Sequence, residues 1–338
     1  MSHGFADAHL VNSLRKDRFH LILFPTEECN LRCVYCYEDF AIGRMPEWLV
    51  SATKSLIMRK MKSLKHMELS WFGGEPLLAK DILFDITEHA QQLAQENDCV
   101  VTGNTTTNGV LLDVKTLTKL VQLNQRSFQI SIDGDESQHN QTRISKAGKG
   151  SFGKIWQRLI DAANTDLSFN IMLRIHVTAF NQDSIRDFLD KYQTHLADDP
   201  RFRLFFKDIV DLGGDNSDQA KALGKLNDPR KAAAALQQEF QPTESKGDYI
   251  CYASKPNSLA IRANGNLNKC TVALKDDHNH IGRINADGTL QVDNRKFGSW
   301  IEGFSSMNSW QMGCPHSFIQ ANKKQNEPVG DIAITNVA

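Results

Sequence analysis

The chain has 338 residues, 41% of them hydrophobic and 23% charged, with 39 Lys and Arg against 40 Asp and Glu. That composition excludes a mainly disordered or collagen-like protein, and a formal net charge of −1 leaves no overall basic field for nucleic acid or an anionic membrane. The amino terminus lacks an apolar signal core and no stretch approaches the roughly eighteen apolar residues of a membrane span, so the expected protein is soluble, cytoplasmic and without nucleic-acid or membrane partners.

After an amino-terminal extension over residues 1–18, short apolar runs alternate with amphipathic stretches through residue 210. The runs FHLILFP (19–25), MELSWFGG (67–74), VVTGNTTTNG (100–109), SFQISIDG (127–134), FNIMLRIHVT (169–178) and FRLFFKDI (202–209) predict six strands. Stripes at helical spacing lie between them: Ile82, Ile86, Ala90 and Leu93; Val114, Leu117, Leu120 and Val121; Ile185, Phe188, Leu189 and Tyr192. Six parallel βα units of an α/β protein make a partial barrel or an open doubly wound sheet, with ligands at the carboxyl ends of the strands in either case. Residues 211–247, with Gly213-Gly214 and the run KAAAAL at 231–236, read as a solvated helical linker ending near Lys246-Gly247. From 248 to 338 the chain carries hairpin signals at Asn264-Gly265 and Asp287-Gly288, which predict a small β-rich domain.

Alternation assigns faces to the strands. Phe128, Ile130 and Ile132 alternate with Gln129, Ser131 and Asp133, and Ile171, Leu173, Ile175 and Val177 with Met172, Arg174 and His176. Helices cover the outside of such a barrel, so Gln129, Arg174 and His176 are expected to face the interior and hold a polar substrate there.

Seven cysteines are an odd number in a chain without a secretion signal, which favours metal or redox chemistry over a disulfide framework. Cys29, Cys33 and Cys36 follow the first strand in ECNLRCVYCYEDF. Three thiolates so spaced on one loop suit an iron–sulfur cluster, and a cube of four irons on three thiolates keeps one iron open. Cys251, Cys270 and Cys314 form a second group, while Cys99 reads as a small buried residue. Glu38 and Asp39 read as exposed loop acids, with a general base as the functional alternative.

The Cys29–Cys33–Cys36 loop, with Tyr35 before the third cysteine, resembles the signature of the radical S-adenosylmethionine (SAM) superfamily. Gly73, Gly74, Glu75 and Pro76 resemble that family's GGEP turn, which implies contact with the methionyl amino group of SAM. Asn104, Thr106 and Asn108 in the third strand end, and Ser131 and Asp133 in the fourth, resemble its ribose and carboxylate contacts. Arg143 resembles a recurrent loop arginine touching SAM or substrate. The resemblance implies a partial (β/α)6 TIM-type barrel, a [4Fe-4S] cluster that binds SAM, and reductive cleavage of SAM to methionine and a 5′-deoxyadenosyl radical.

Cys251, thirteen residues, Gly265, four residues, Cys270 and a later Cys314 resemble the carboxyl-terminal SPASM and twitch domains of such enzymes. The dense later cysteines of the complete SPASM form are missing, so a twitch-like domain with one auxiliary [4Fe-4S] cluster is implied. Its fourth ligand is open among His278, His280, His316 or a substrate.

Relatives of this kind often modify ribosomally made peptides. The implied function is a peptide maturase forming a crosslink at an unactivated carbon, carbon–carbon (including cyclophane rings) or to sulfur or oxygen. The alternatives are a peptide epimerase, a dehydrogenase or ring-forming enzyme acting on a small metabolite, and a non-catalytic iron–sulfur or zinc regulator. The implied partners are a precursor peptide and a reductant such as flavodoxin or ferredoxin. The 28 residues before Cys29 are fewer than the about 80 of a fused leader-recognition domain, which points to a separate leader-binding protein or to direct leader binding.

Overall fold

Where apolar and polar side chains alternate along a strand, the apolar row is drawn under whatever covers that face of the sheet. In this chain the covers are helices, one after each parallel strand. The computed structural model describes residues 7–224, 229–241 and 249–326. The boundary expected at Lys246-Gly247 lies outside the described residues.

In chain order the elements are α1 (Asp7–Leu14), β1 (Arg18–Leu23), β2 (Leu31–Cys33), α2 (Glu47–Met61), β3 (His66–Trp71), α3 (Lys80–Glu96), β4 (Val100–Thr107), α4 (Val114–Gln122), β5 (Gln125–Ile132), α5 (Glu136–Thr142), β6 (Arg143–Ser145), α6 (Phe152–Ala163), β7 (Asn170–Val177), α7 (Gln182–His195) and β8 (Phe202–Asp208). There follow α8 (Ser217–Gly224), α9 (Pro229–Phe240), β9 (Ser258–Ile261), β10 (Asn266–Asn268), β11 (His280–Ile284), β12 (Leu290–Val292), α10 (Asn294–Ile301), α11 (Gly303–Ser306), α12 (Ser309–Gly313) and α13 (Pro315–Asn326).

The six strands predicted from the sequence are β1, β3, β4, β5, β7 and β8, and they pair in parallel in that order. Each is followed by a helix on the outside, α2, α3, α4, α6, α7 and α9, which makes the partial (β/α)6 barrel. The helix stripes are buried as their spacing requires: Ile82, Ile86 and Ala90 on α3, Leu117, Leu120 and Val121 on α4, and Ile185, Phe188 and Leu189 on α7. Val114, in the first turn of α4, is exposed instead. Asp113 caps α4 by accepting from the Thr116 N–H at 2.8 Å.

Two expectations are corrected. The run at 231–236 is solvated on one face only: in α9, Ala233 and Leu236 are buried while Lys231, Ala234 and Ala235 are exposed. Gln237 and Gln241 of this stretch accept from the N–H groups of Phe206 at 3.1 Å and Leu204 at 2.6 Å, which covers the open edge of β8. The carboxyl-terminal part is also less β-rich than its hairpins suggested, because α10 to α13 follow β12. The two hairpins do form, β9 with β10 and β11 with β12, and β9 lies parallel against β1, so their strands continue the barrel sheet into one of ten strands. Among the described residues no helix is long and apolar enough to cross a membrane.

Candidate active site

The chain leaves β1 at Leu23 and crosses the carboxyl ends of the strands before descending into α2. Along the way β2 pairs antiparallel with β6, setting Cys33 opposite Arg143, and the Val34 N–H donates to the Thr142 carbonyl at 3.0 Å. The turn after β3 closes beneath the same loop: the Glu75 N–H donates to the Glu28 carbonyl at 2.8 Å. Here two glycines are required. A Cβ on Gly73, whose φ is +126°, would lie 2.2 Å from the Thr26 carbonyl oxygen, and one on Gly74 would lie 2.4 Å from that of Glu28.

Cys29, Cys33 and Cys36 are half-buried on this loop and, like the other cysteines, unbridged. The Leu31 N–H points at Cys29 Sγ, 3.3 Å away, and Asn108 Nδ2 lies 3.7 Å from it. Burial, with Glu75 nearby, pushes the Cys29 thiol up to about 12, and burial with Cys33 nearby pushes Cys36 to about 12. The free thiols therefore keep their protons at neutral pH, and metal binding must displace them. Among the described residues no three His, Cys, Asp or Glu side chains are arranged for a single metal ion. Three thiols on one loop, with amide donors aimed at sulfur, fit a multi-iron cluster by their donor chemistry.

Glu75 is fully buried and its carboxylate is taken up by protein. It accepts from the Leu77 N–H at 3.0 Å, the Thr107 hydroxyl at 2.7 Å and the Asn108 N–H at 2.7 Å. Pro76 opens the one-turn helix that follows. Asn108 reaches Asn30 at 2.8 Å, joining the end of β4 to the cysteine loop. Asn104 lies one turn of the pleat lower and donates to Glu68 and Ser70, each at 2.8 Å. Thr106 is half-exposed on the same face, in register with Gln129.

Tyr35 sits at the centre of a polar network. Its hydroxyl donates to Asp133 at 2.7 Å, accepts from Arg143 at 2.8 Å and lies 3.0 Å from His176 Nδ1. Asp133 also accepts from Thr142 and pairs with His176 at 3.0 Å. Burial alone would raise the Asp133 carboxyl, but the hydrogen bond and charge of His176, with Arg143 behind, hold it well below the carboxylate range. Asp133, Arg143 and His176 are each under 9% exposed. The structure thus gives all three to an internal network that ties the cysteine loop to β5, β6 and β7. Arg143 is no solvated loop charge, and His176, expected beside Arg174 as a substrate group, is engaged by Asp133.

Arg174, Gln129 and Ser131 remain partly open on the inner face. The Nε of Arg174 is buried without a hydrogen-bond partner, and desolvation lowers its pKa against the opposing pull of Tyr37, Tyr35 and Asp208. Tyr37 was not singled out in the sequence, yet its charge environment joins Cys36, Arg174 and Cys270 of the second cysteine group. Glu38 corrects another expectation: it is buried, and neither carboxylate oxygen has a hydrogen-bond partner. Asp39 is exposed and pairs with Lys275 at 3.5 Å. Glu27, buried two residues before Cys29, pairs with Arg262 and accepts from the Ala263 N–H at 3.2 Å, anchoring the loop to the β9–β10 hairpin. Nothing local in the sequence marks that contact.

The second cysteine group also comes together. The Cys251 N–H donates to the Met312 carbonyl at 2.9 Å, which brings residue 251 beside Cys314, and the thiols of Cys270 and Cys314 both bear on Cys251, whose own thiol burial pushes up to about 11. None of the three histidines weighed as a fourth ligand is idle. His278 bonds Ser299 at 2.6 Å, His280 bonds the Gly282 carbonyl at 2.9 Å, and His316 approaches Asp276 at 3.5 Å. Two tyrosines adjoin the group: Tyr249, its phenol toward Cys251 with Cys314 and Cys270 near, and Tyr252, beside Cys270 and Cys251. Cys99 is buried apart from both groups.

Comparison with known proteins agrees with this geometry. A family model described as the radical SAM superfamily matches residues 23–191. GTP 3′,8-cyclase of Desulforamulus reducens is 20% identical over 77% of this chain and 83% of its own length. The cysteine-type anaerobic sulfatase-maturating enzyme of Clostridium perfringens is 24% identical over 45% of this chain and 43% of its own. Among solved structures, anSMEcpe with bound AdoMet and the Cp18Cys peptide superposes with a TM-score of 0.57 at 17% identity, over 83% of this chain and 80% of that one. Streptococcus suis SuiB bound to its precursor peptide SuiA gives 0.54 at 15% identity, over 88% and 69%.

Proposed function

The chain belongs to the radical SAM superfamily and is an enzyme, and on that premise we propose that it modifies a ribosomally made precursor peptide by forming a crosslink at an unactivated carbon. Membership implies SAM and a [4Fe-4S] cluster as cofactors, which together supply reductive cleavage of SAM and a radical able to take hydrogen from a C–H bond. In this reading Cys29, Cys33 and Cys36 hold the cluster. Gly73 and Gly74 let the turn close against the cysteine loop so that SAM has backbone to bind, with Thr106, Ser131 and Asn108 lining the strand ends above. Arg174 and Gln129 orient the substrate, and the helix-covered wall excludes water from the reacting carbon.

The observation that carries the crosslink is the second trio of thiols, Cys251, Cys270 and Cys314, gathered in one neighbourhood, with Cys270 also near Tyr37. A crosslink removes two hydrogens from the substrate and leaves one electron to be taken up, and a second metal centre, an auxiliary [4Fe-4S] cluster, is suited to that task. The peptide is supported by the fold, which this chain shares with two proteins solved with peptides bound. A cytoplasmic setting and a flavodoxin or ferredoxin as reductant complete the proposal.

A small-metabolite ring closure is the second reading, favoured by the GTP 3′,8-cyclase likeness over most of both chains. The test is anaerobic incubation of reconstituted enzyme with SAM, dithionite and the peptide encoded next to its gene, with GTP in a parallel reaction. The peptide should lose two hydrogens by mass. Consumption of GTP with an unaltered peptide would assign the second reading instead.

A further inference from the structure

Lys269 carries a buried amino group to which, among the described residues, no acidic side chain is bonded. It is 1% exposed, and its Nζ donates to the carbonyls of Lys255 at 2.6 Å and Ser258 at 2.7 Å. The face of Phe297 lies 5.0 Å from the same nitrogen. Two carbonyls and a ring face are three acceptors for the three protons of an ammonium, so the pocket is shaped for the charged form. Lys255, one of its two carbonyl acceptors, ends the one-turn helix Tyr252–Ser254 that Cys251 opens, and Lys269 directly precedes Cys270, so the ammonium is tied to the segments of both cysteines. A buried charge without a partner is costly, and the second cysteine group is where the missing negative charge would come from.

The placement is rigid. Asn279, fully buried, accepts from the N–H groups of both Lys269 and Cys270, at 3.0 and 2.8 Å, and returns its amide to the Cys270 carbonyl at 2.8 Å. One side chain therefore fixes the backbone of the lysine and of the cysteine together, and Phe297 of α10 packs its ring face on the ammonium.

We propose that Lys269 is the built-in counter-charge of a metal centre held by Cys251, Cys270 and Cys314, and that its charge makes this centre easier to reduce. The proposal rests on the auxiliary-cluster reading above. In a crosslinking turnover one substrate hydrogen leaves as an atom and completes 5′-deoxyadenosine. The second would leave as a proton to solvent and an electron, for which a centre held by Cys251, Cys270 and Cys314 would be the acceptor as the new bond closes. Lys269, a fixed ammonium in a low-dielectric wall, would stabilise the more negative state of such a centre.

The test is a redox titration of the full-length reconstituted protein followed by electron paramagnetic resonance, with Cys29, Cys33 and Cys36 changed to alanine so that only the auxiliary signal remains. Lys269→Met keeps the length and removes the charge, and the midpoint should move to a more negative potential. Lys269→Gln, which still bonds a carbonyl, should move it the same way and serves if the methionine protein does not fold. An unmoved midpoint in a folded neutral variant overturns the counter-charge. If the background protein holds no iron and gives no signal, it is the auxiliary-cluster reading that fails.

Discussion

The Tyr35 hydroxyl donates to the Asp133 carboxylate at 2.7 Å, joining two residues 98 positions apart. Through this bond the loop that carries three thiols is fastened to the carboxyl end of β5, and Arg143 and His176 close the network around it. Asp133 is buried and Tyr35 half-buried, so the bond acts in a medium where a lost partner leaves a polar group unsatisfied.

Asp133→Ala should therefore cost about 3–5 kcal/mol, the range for stripping one partner from a buried charge network, read as a lower urea midpoint. Tyr35→Phe, which loses the hydroxyl and keeps the ring, should cost about 1–3 kcal/mol and lower the iron retained on reconstitution. A full iron content and wild-type midpoint in both proteins would deny the network its role.

The same carboxylate sets a pH dependence. Its folded pKa is depressed, so its stabilising contribution is present above the ordinary carboxylate range and is lost as pH falls through the folded value. Asp133→Asn should flatten the acid limb of the stability curve relative to wild type, measured by urea unfolding from neutral pH downward. Parallel acid limbs would contradict the assignment.

The six strands were legible as short apolar runs, and α3, α4 and α7 were legible because each carries an apolar stripe at helical spacing; α9 was not, since its run KAAAAL reads as solvated. The carboxyl-terminal helices were not, because α10 buries only Trp300 and α12 only Gln311 and Met312, too little for a periodic signal. The thiols of the loop were legible because they are neighbours in sequence. The partners of Tyr35 were not, since His176 is 141 residues away and no local pattern announces the pairing. Glu38 looked like a loop acid because nothing in its neighbourhood tells that the loop turns it inward, and Lys269 looked ordinary because its acceptors are main-chain carbonyls.

Gly74→Ala should prevent SAM binding while leaving the barrel folded. The added Cβ would meet backbone on both sides, 2.4 Å from the Glu28 oxygen and 2.6 Å from that of Glu27, so the cysteine loop has to lift, at a cost of at least about 1–3 kcal/mol. Equilibrium dialysis with SAM and the circular dichroism spectrum test the two halves of this expectation.

Removing the guanidinium that faces the lumen should separate cofactor cleavage from product. In Arg174→Ala, 5′-deoxyadenosine should still form while modified product falls on the order of a hundredfold, because a displaced C–H bond is no longer in reach. Loss of SAM cleavage together with product would make Arg174 a cofactor residue.

Iron content separates the two cysteine groups. Reconstituted wild type should hold about eight irons per chain and Cys270→Ala about four, with SAM cleavage partly retained. A value near four in both would leave the second group without a cluster.

The central claim is that a radical generated at the cysteine loop takes hydrogen from a carbon of the peptide, and isotope transfer tests it most directly. The precursor peptide is prepared with deuterium at its carbon positions and incubated anaerobically with the reconstituted enzyme, SAM and dithionite, and the 5′-deoxyadenosine is analysed by mass spectrometry. One deuterium is expected in the 5′-deoxyadenosine, matched by a peptide that has lost two hydrogen isotopes. Unlabelled 5′-deoxyadenosine and an unchanged peptide, from enzyme that cleaves SAM, would contradict it.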